Sequence, residues 1–544
     1  MRTRIWMVAL VASMLLGLIT ACSGGGKSDS QSSSPPASSS GTGAATPAGD
    51  NPYAKHVELS LAIWDVEQAF PAGQKDEVYE FLQNKFNVSF KPVNVTWDDY
   101  EQKLQVWAAS SQLPDVFVID AMGKPYYNTW IQEKLIRPIP DDLSKYPNVK
   151  TLLDNPDLQG FKHSDGKFYS LPKPNYSNSY ENGAEKAIYY RKDWMESVGI
   201  TKAPENAEQF ITLLNAFKQQ DPDGKKTIGF TAYDGGHFMN MALSYAPGLG
   251  GGANHWIKEG GKWVPALLAD SALPALKEMH RIYQAGVVDK DIAILKGDEA
   301  LEKFASGRAG ALAYGGIPSF QMRIKEYWDK NYPDKKFEDS VLLAHYWKAP
   351  DGVYYRNTAE YSWSENYFNA DTMDDAKMDR YLALHDYLLS DEGMNLLRYG
   401  FEGIDYKRNG DEIEITRPKN DQGEFDELKL KYASVETLTW LVSWDSSFNF
   451  FNPSYPEKLR EASLKLRDWA EHEAKPVETN FALNYLEYPS KNKVSMLPVD
   501  DALKVILSKD PDKSYDEIKK GYYKQGAQQM IDELNAAAES AGIR

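Results

Sequence analysis

The sequence holds one cysteine, Cys22, among 544 residues. That excludes an intramolecular disulfide framework, a cysteine-based zinc site and an iron–sulfur cluster. It also lacks basic excess: 61 Lys and Arg face 78 Asp and Glu, a formal net charge of −17. Such a surface repels phosphate backbones, so nucleic acid is not an expected partner. The eight histidines include no His-Glu-x-x-His pair and no spacing that sets two imidazoles on one helical face, so no metal enzyme is signalled. Phosphate-cradle and nucleophile-elbow motifs are missing, and Gly248-Leu-Gly-Gly-Gly252 leads to Trp256 instead of opening a good helix. Carboxylates are plentiful, but abundance supplies no spacing for a glycosidase pair. No catalytic residue and no cofactor is therefore expected, and no repeat of fixed period is found.

What is present is a chain able to bury a core, 42% hydrophobic, and too long for a single one. At the start, Met1-Arg-Thr-Arg4 is basic, Ile5 to Thr20 is apolar, and Leu18-Ile-Thr-Ala-Cys22 ends in small residues before the thiol. This is a secretion signal, too short and too early to be a structural membrane span. Ser23 to about Pro52 is Ser, Gly, Ala, Pro and Thr with almost no large apolar residue, which reads as a flexible tether.

The body opens with a strand, Val57 to Trp64, apolar at every second position. A helix over Lys75 to Phe86, a strand over Val88 to Val95, a helix begun by a capping box of Asp98 and Glu101, and the apolar run Asp115 to Asp120 complete a β-α-β-α-β unit. Lys186 to Arg191 is a further strand, Asn206 caps a helix, and Thr227 to Tyr233 is again a strand. Beyond about residue 370 the chain reads as mostly helical, with Ser514 and Glu517 as another capping box. The fold expected is α/β with two lobes and helical additions. Asp221-Pro-Asp-Gly224 looks like a truncated calcium loop, with Asp221 and Asp223 as weak candidate ligands, but Lys225 takes the fifth position and a solvated turn fits better.

The positive signal is aromatic: 14 Trp, 33 Tyr and 21 Phe. Trp107, Trp194 and Trp469 sit at apolar helical spacing and read as core. Other rings lie at strand ends or in polar loops: Trp64 beside Asp65, Tyr126, Tyr127 and Trp130 after the strand ending at Asp120, Trp256, Tyr346-Trp347, Trp363, and Trp440 with Trp444. Open α/β sheets bind ligands beyond the carboxyl ends of their strands, and sugars are held by aromatic faces plus planar polar groups. As a set these rings favour a carbohydrate. Trp64, Asp65, Asp120, Tyr127, Asp234, Tyr314, Trp347, Trp363 and Trp444 are candidate binding residues by placement.

Several segments, in this order, carry a resemblance: Gln112-Leu-Pro-Asp-Val-Phe117, Asp165-Gly-Lys-Phe-Tyr-Ser-Leu-Pro172, Tyr189 to Gly199 with Pro204, Gly250 to Trp256, Phe304 to Gly310, and Gly400 to Tyr406. The chain resembles a lipid-anchored solute-binding protein of an ABC-type carbohydrate importer, from the large family 1 oligosaccharide-binding group of Gram-positive bacteria. The resemblance implies a two-lobed, periplasmic-binding-protein-like type II fold, hinged, with extra C-terminal helices. It implies no catalysis: an oligosaccharide is captured between the lobes and handed to a transmembrane permease. It makes Cys22 the lipidation site of a monomer held on the extracytoplasmic face of the cell membrane, with residues 1–21 as signal peptide and 22–52 as tether. Residues 53–172 and about 305–370 are then expected in lobe 1, with 173–304 and about 371–544 in lobe 2. Trp256, Tyr189 and Arg191 are the binding positions it carries over. A membrane-tethered polysaccharide-degrading enzyme, a binding protein for a peptide or other small solute, and a sensor beside a kinase are the alternatives.

Overall fold

The computed structural model describes residues 53–70, 75–97, 99–250, 256–358, 360–410, 412–420 and 423–543. Cys22, the signal and the tether lie outside the described residues. Two sheets organise the body. The first runs in the order Val88–Pro92, Val57–Ala62, Val116–Ile119, Ser362–Phe368, Leu171–Pro174. Its first three strands are parallel, and Ser362–Phe368 is antiparallel to both its neighbours. All four residues of Val116–Ile119 are buried, as a strand covered on both faces requires. The second sheet runs Val341–Ala344, Ala187–Arg191, Ala309–Tyr314, Ile228–Ala232, with the last two parallel.

Each sheet has its own core. Leu59, Leu61, Val118, Leu171 and Phe368 anchor the first, with Phe230, Phe210, Ala311 and Leu276 in the second. The helices form where their caps say they should. Asp76 accepts from the Tyr79 amide to start Glu77–Phe86, and Asn206 accepts from the Gln209 amide to start Ala207–Gln220. Two caps differ from expectation. The last-but-one helix starts at Pro511, four residues before Tyr515, because Asp510 caps it and proline suits the first turn. The helix after Val95 begins at Tyr100 with Asp99 at its cap position, and Asp98 lies outside the described residues.

The lobe division differs from the expected one. Ala309–Tyr314 and Val341–Ala344 pair in the second sheet, not in the first, while Ser362–Phe368 does join the first. Asp375–Leu389, Asp391–Tyr399 and Ser434–Val442 bury Tyr381, Leu384, Leu396 and Leu438 against the first core, whereas Glu457–His472 sets Leu459 beside Tyr189 and Leu312 of the second sheet and the helices from Pro498 onward bury Leu503, Ile506, Tyr515 and Met530 in the second core. Apolar faces at helical spacing do not say which sheet they will cover. The chain therefore passes between the sheets three times, after Pro174, after Ala344 and after Val442. No helix among the described residues is long and apolar enough to cross a membrane.

Candidate functional site: an aromatic cleft

A cleft of about 1530 Å³ opens between the carboxyl ends of the parallel strands of both sheets. One wall grows from neighbouring parallel strands. Trp64 bridges Val95 just past the end of Val57–Ala62, which brings Trp97, two residues beyond Val95, over it. The two indoles stack at 4.4 Å between centroids and 2° between planes. Trp64 is fully buried, whereas Trp97 is 43% exposed and lines the cleft. Trp363 opens the antiparallel strand, where the register shifts between Ser362 and Glu365 and Ser364 takes φ 62°. Such a bulge re-aims a side chain, and Trp363 lies 5.6 Å from Trp64 at 14°. Trp440, on the Ser434–Val442 helix, meets Trp97 edge-on at 5.8 Å. Trp444 donates through its indole N–H to the Trp363 carbonyl at 2.9 Å. Five tryptophans thus form one cluster, of which Trp97, Trp363, Trp440 and Trp444 face the cleft.

The opposite wall comes from the second sheet. Tyr233 follows Ile228–Ala232 and stacks on Tyr314 at 4.6 Å, and Arg323 places its guanidinium 5.5 Å from the Tyr233 ring while pairing with Asp298 at 2.6 Å. Gly297 is required there, since a Cβ would lie 2.1 Å from the Tyr233 ring. The crossing segments supply Asn175, Asn182, Glu185, Asn357 and Glu360, all planar hydrogen-bonding groups.

Behind the tryptophans lies a buried polar layer. The Lys173 ammonium sits 4.6 Å from the Trp64 centroid and 4.4 Å from that of Trp444, without a hydrogen-bond partner among the described residues. Burial holds its pKa well below the usual lysine range. Glu365, which accepts from the Tyr367 hydroxyl at 2.8 Å, is pushed up to about 8 by burial and by the nearby Asp120 charge. Burial likewise raises Asp120, and raises Glu360 to about 7. An acid whose folded pKa exceeds its unfolded one loses stability as pH rises between the two values. Glu365→Gln is therefore expected to melt with the wild type near pH 4.5 and above it at pH 9, the gap opening between those limits; parallel thermal melts across that range check this.

Among the residues expected from sequence, Asp65, Trp363 and Trp444 line the cleft, and Trp64 backs it. Asp120 lies beside Lys124 at 3.7 Å, its carboxyl also reached by Trp363. Tyr314 stands behind Tyr233. Asp234 caps the Gly235–Met239 helix through the His237 amide. The others lie elsewhere. Tyr127 packs against Tyr367, and Trp347 against Phe210 in the second core. Tyr189 is buried and donates to the Gly315 carbonyl. Arg191 is fully buried: Nε and Nη2 donate to Asp193 at 2.8 and 2.7 Å, and Nη1 donates to Asp223 at 3.2 Å and to the Tyr332 hydroxyl at 3.0 Å. Its planar fork is spent inside the lobe. Trp256 starts a hairpin with Lys262–Pro265, and residues 251–255 before it lie outside the described residues. Asp221 accepts from the amides of Lys225, Lys226 and Thr227, so its carboxylate serves the turn itself. Trp97 and Tyr233 are missing from the expected set, although both sit where the same strand-end rule would find them.

Comparison with known proteins places these features in a lineage. The family model described as "Bacterial extracellular solute-binding protein" matches residues 78–395. The polygalacturonan/rhamnogalacturonan-binding protein YtcQ of Bacillus subtilis (strain 168) is 21% identical over 476 residues, 86% of this chain and 88% of that protein. The fructooligosaccharide ABC transporter substrate-binding protein FusA of Streptococcus pneumoniae serotype 4 is 25% identical over 217 residues, 37% of this chain and 40% of its own. The crystal structure of alginate-binding protein AlgQ2 without calcium ion superposes with a TM-score of 0.67 at 16% identity, covering 89% of this chain and 98% of that one. FusA in complex with kestose gives 0.63 at 15% identity, covering 90% and 99%. At such identities the likeness shows the two-lobed fold.

Proposed function

Because the chain belongs to the bacterial extracellular solute-binding proteins, we propose that its solute is an oligosaccharide, bound in the aromatic cleft and delivered to the permease of an ABC importer. The observation that carries this reading is the indole wall of the exposed Trp97 and the half-buried Trp363, Trp440 and Trp444, facing amide and carboxylate groups across one cleft. Pyranose rings offer CH faces to indoles and hydroxyls to planar polar groups. Relatives named for sugar binding support the same class. Cys22 would carry the lipid and residues 23–52 the tether, holding a monomeric body outside the membrane. A thermal-shift panel tests the solute class, since a ligand that binds only the folded state raises the midpoint. Oligosaccharides should raise it; a response to peptides alone would overturn the reading.

The two lobes, joined by three crossings, are proposed to close on the ligand, which tips an open–closed balance by touching both walls. Small-angle scattering should show a smaller radius of gyration with a bound sugar, and an unchanged radius under saturation would exclude closure. One observation favours a second reading: Glu360, raised to about 7, faces a sugar-sized cleft as a glycosidase acid does. Incubation with a polysaccharide panel separates the two, because a binding protein releases no reducing ends.

A further inference from the structure

We infer that the oligosaccharide is uncharged, carrying no uronate carboxylates. The inference rests on the proposed oligosaccharide reading and adds the charge of the ligand to it. Seven carboxylates line the cleft against four cations. Two of those cations are held in ion pairs that use three of the carboxylates, Arg323 with Asp298 at 2.6 Å and Lys429 with Glu427 at 3.1 Å and Glu436 at 3.3 Å, which leaves Asp65, Glu185, Glu326 and Glu360 against Lys186 and Lys296. Arg323 is the one arginine among the described lining residues, and its other face is turned to Tyr233.

A uronate needs the opposite arrangement. Planar carboxylates are recognised bidentately by guanidinium forks or by cations free of other partners. The arginine that sequence alone offered for such a role, Arg191, is wholly consumed by Asp193, Asp223 and Tyr332 inside the second lobe. Each uronate entering the cleft would also meet Glu326, Glu360 or Asp65, which together with Glu185 outnumber Lys186 and Lys296, and like charges set against one another cost binding free energy. Burial already strains this balance: it raises Glu326, with the Glu427 charge adding to the effect. Hydroxyls have no such conflict, because ionised carboxylates accept hydrogen bonds from them readily. The cleft therefore differs in its charge from what a polygalacturonan would require, although a relative of this chain is named for that polymer.

The test is a titration of the full chain with two panels of matched length: neutral gluco-, galacto-, manno-, xylo- and fructo-oligosaccharides, and oligogalacturonates with alginate and rhamnogalacturonan fragments. Midpoint shift and calorimetry are read at low salt. The expected result is that every ligand found is neutral and that uronate oligomers bind at least about tenfold more weakly than the best neutral one. A uronate oligomer that binds as tightly as, or more tightly than, any neutral sugar would overturn the charge inference and leave the oligosaccharide reading standing. Silence of both panels would overturn the oligosaccharide reading itself, and the charge inference with it.

Discussion

Trp97→Ala is expected to weaken oligosaccharide binding by about 30-fold or more, equivalent to about 2 kcal/mol, which is the scale of an aromatic hot spot. The magnitude follows from position. Trp97 stacks on Trp64, meets Trp440 edge-on and is 43% exposed on the cleft wall, so its outer face is both rigid and open to a ligand. Only that outer face is solvated in the free protein, while the inner face covers Trp64 and touches Trp363, so truncation should also lower the melting midpoint, though by less than removal of Trp64 does. Trp64→Ala should act most on stability: removing a fully buried indole costs about 3–5 kcal/mol. Calorimetric titration beside thermal melts of both variants checks the pair. Retained affinity in Trp97→Ala would remove the indole platform from the binding site.

The second large effect is on stability. Arg191→Met is expected to cost about 3–5 kcal/mol, the price of leaving Asp193 and Asp223 without their buried partner. Its guanidinium also lies 4.2 Å from the Trp194 centroid and 4.7 Å from that of Trp328, so packing is lost as well. Folded Arg191→Met should still bind ligand within about twofold of the wild type, since no atom of Arg191 reaches the cleft. Urea unfolding gives the first quantity and calorimetry below the transition the second. A large loss of affinity with unaltered stability would return Arg191 to the ligand site.

These two residues also mark how far the sequence could be read. Alternation identified Val57 to Trp64, and continuous burial identified Val116–Ile119, because both patterns are local. The strand-end rule then reached Trp64, Asp65 and the start of the strand at Trp363. It was equally applicable to Trp97, which mirrors Trp64 on the adjoining parallel strand, and to Tyr233 at the end of Ile228–Ala232. Which face of Ala187–Arg191 looks toward the cleft was not legible, since all five residues are buried and no alternation distinguishes the faces. Trp440 was visible as a ring in polar surroundings, but only the packing of its helix beside Trp97 gives it a wall to complete. Pairing of Ala309–Tyr314 with Ala187–Arg191 is antiparallel and more than a hundred residues apart in sequence, so no local pattern assigns it to a sheet.

The central claim, an oligosaccharide held between the lobes on an indole platform, is tested most directly by a crystal structure of the protein loaded with the sugar that most raises its melting midpoint. The account predicts a pyranose ring stacked on Trp97, with its hydroxyls within hydrogen-bond reach of cleft residues such as Asp65 and Asn182. Sugar density away from the tryptophan cluster, or confined to one lobe with the cleft empty, would contradict it.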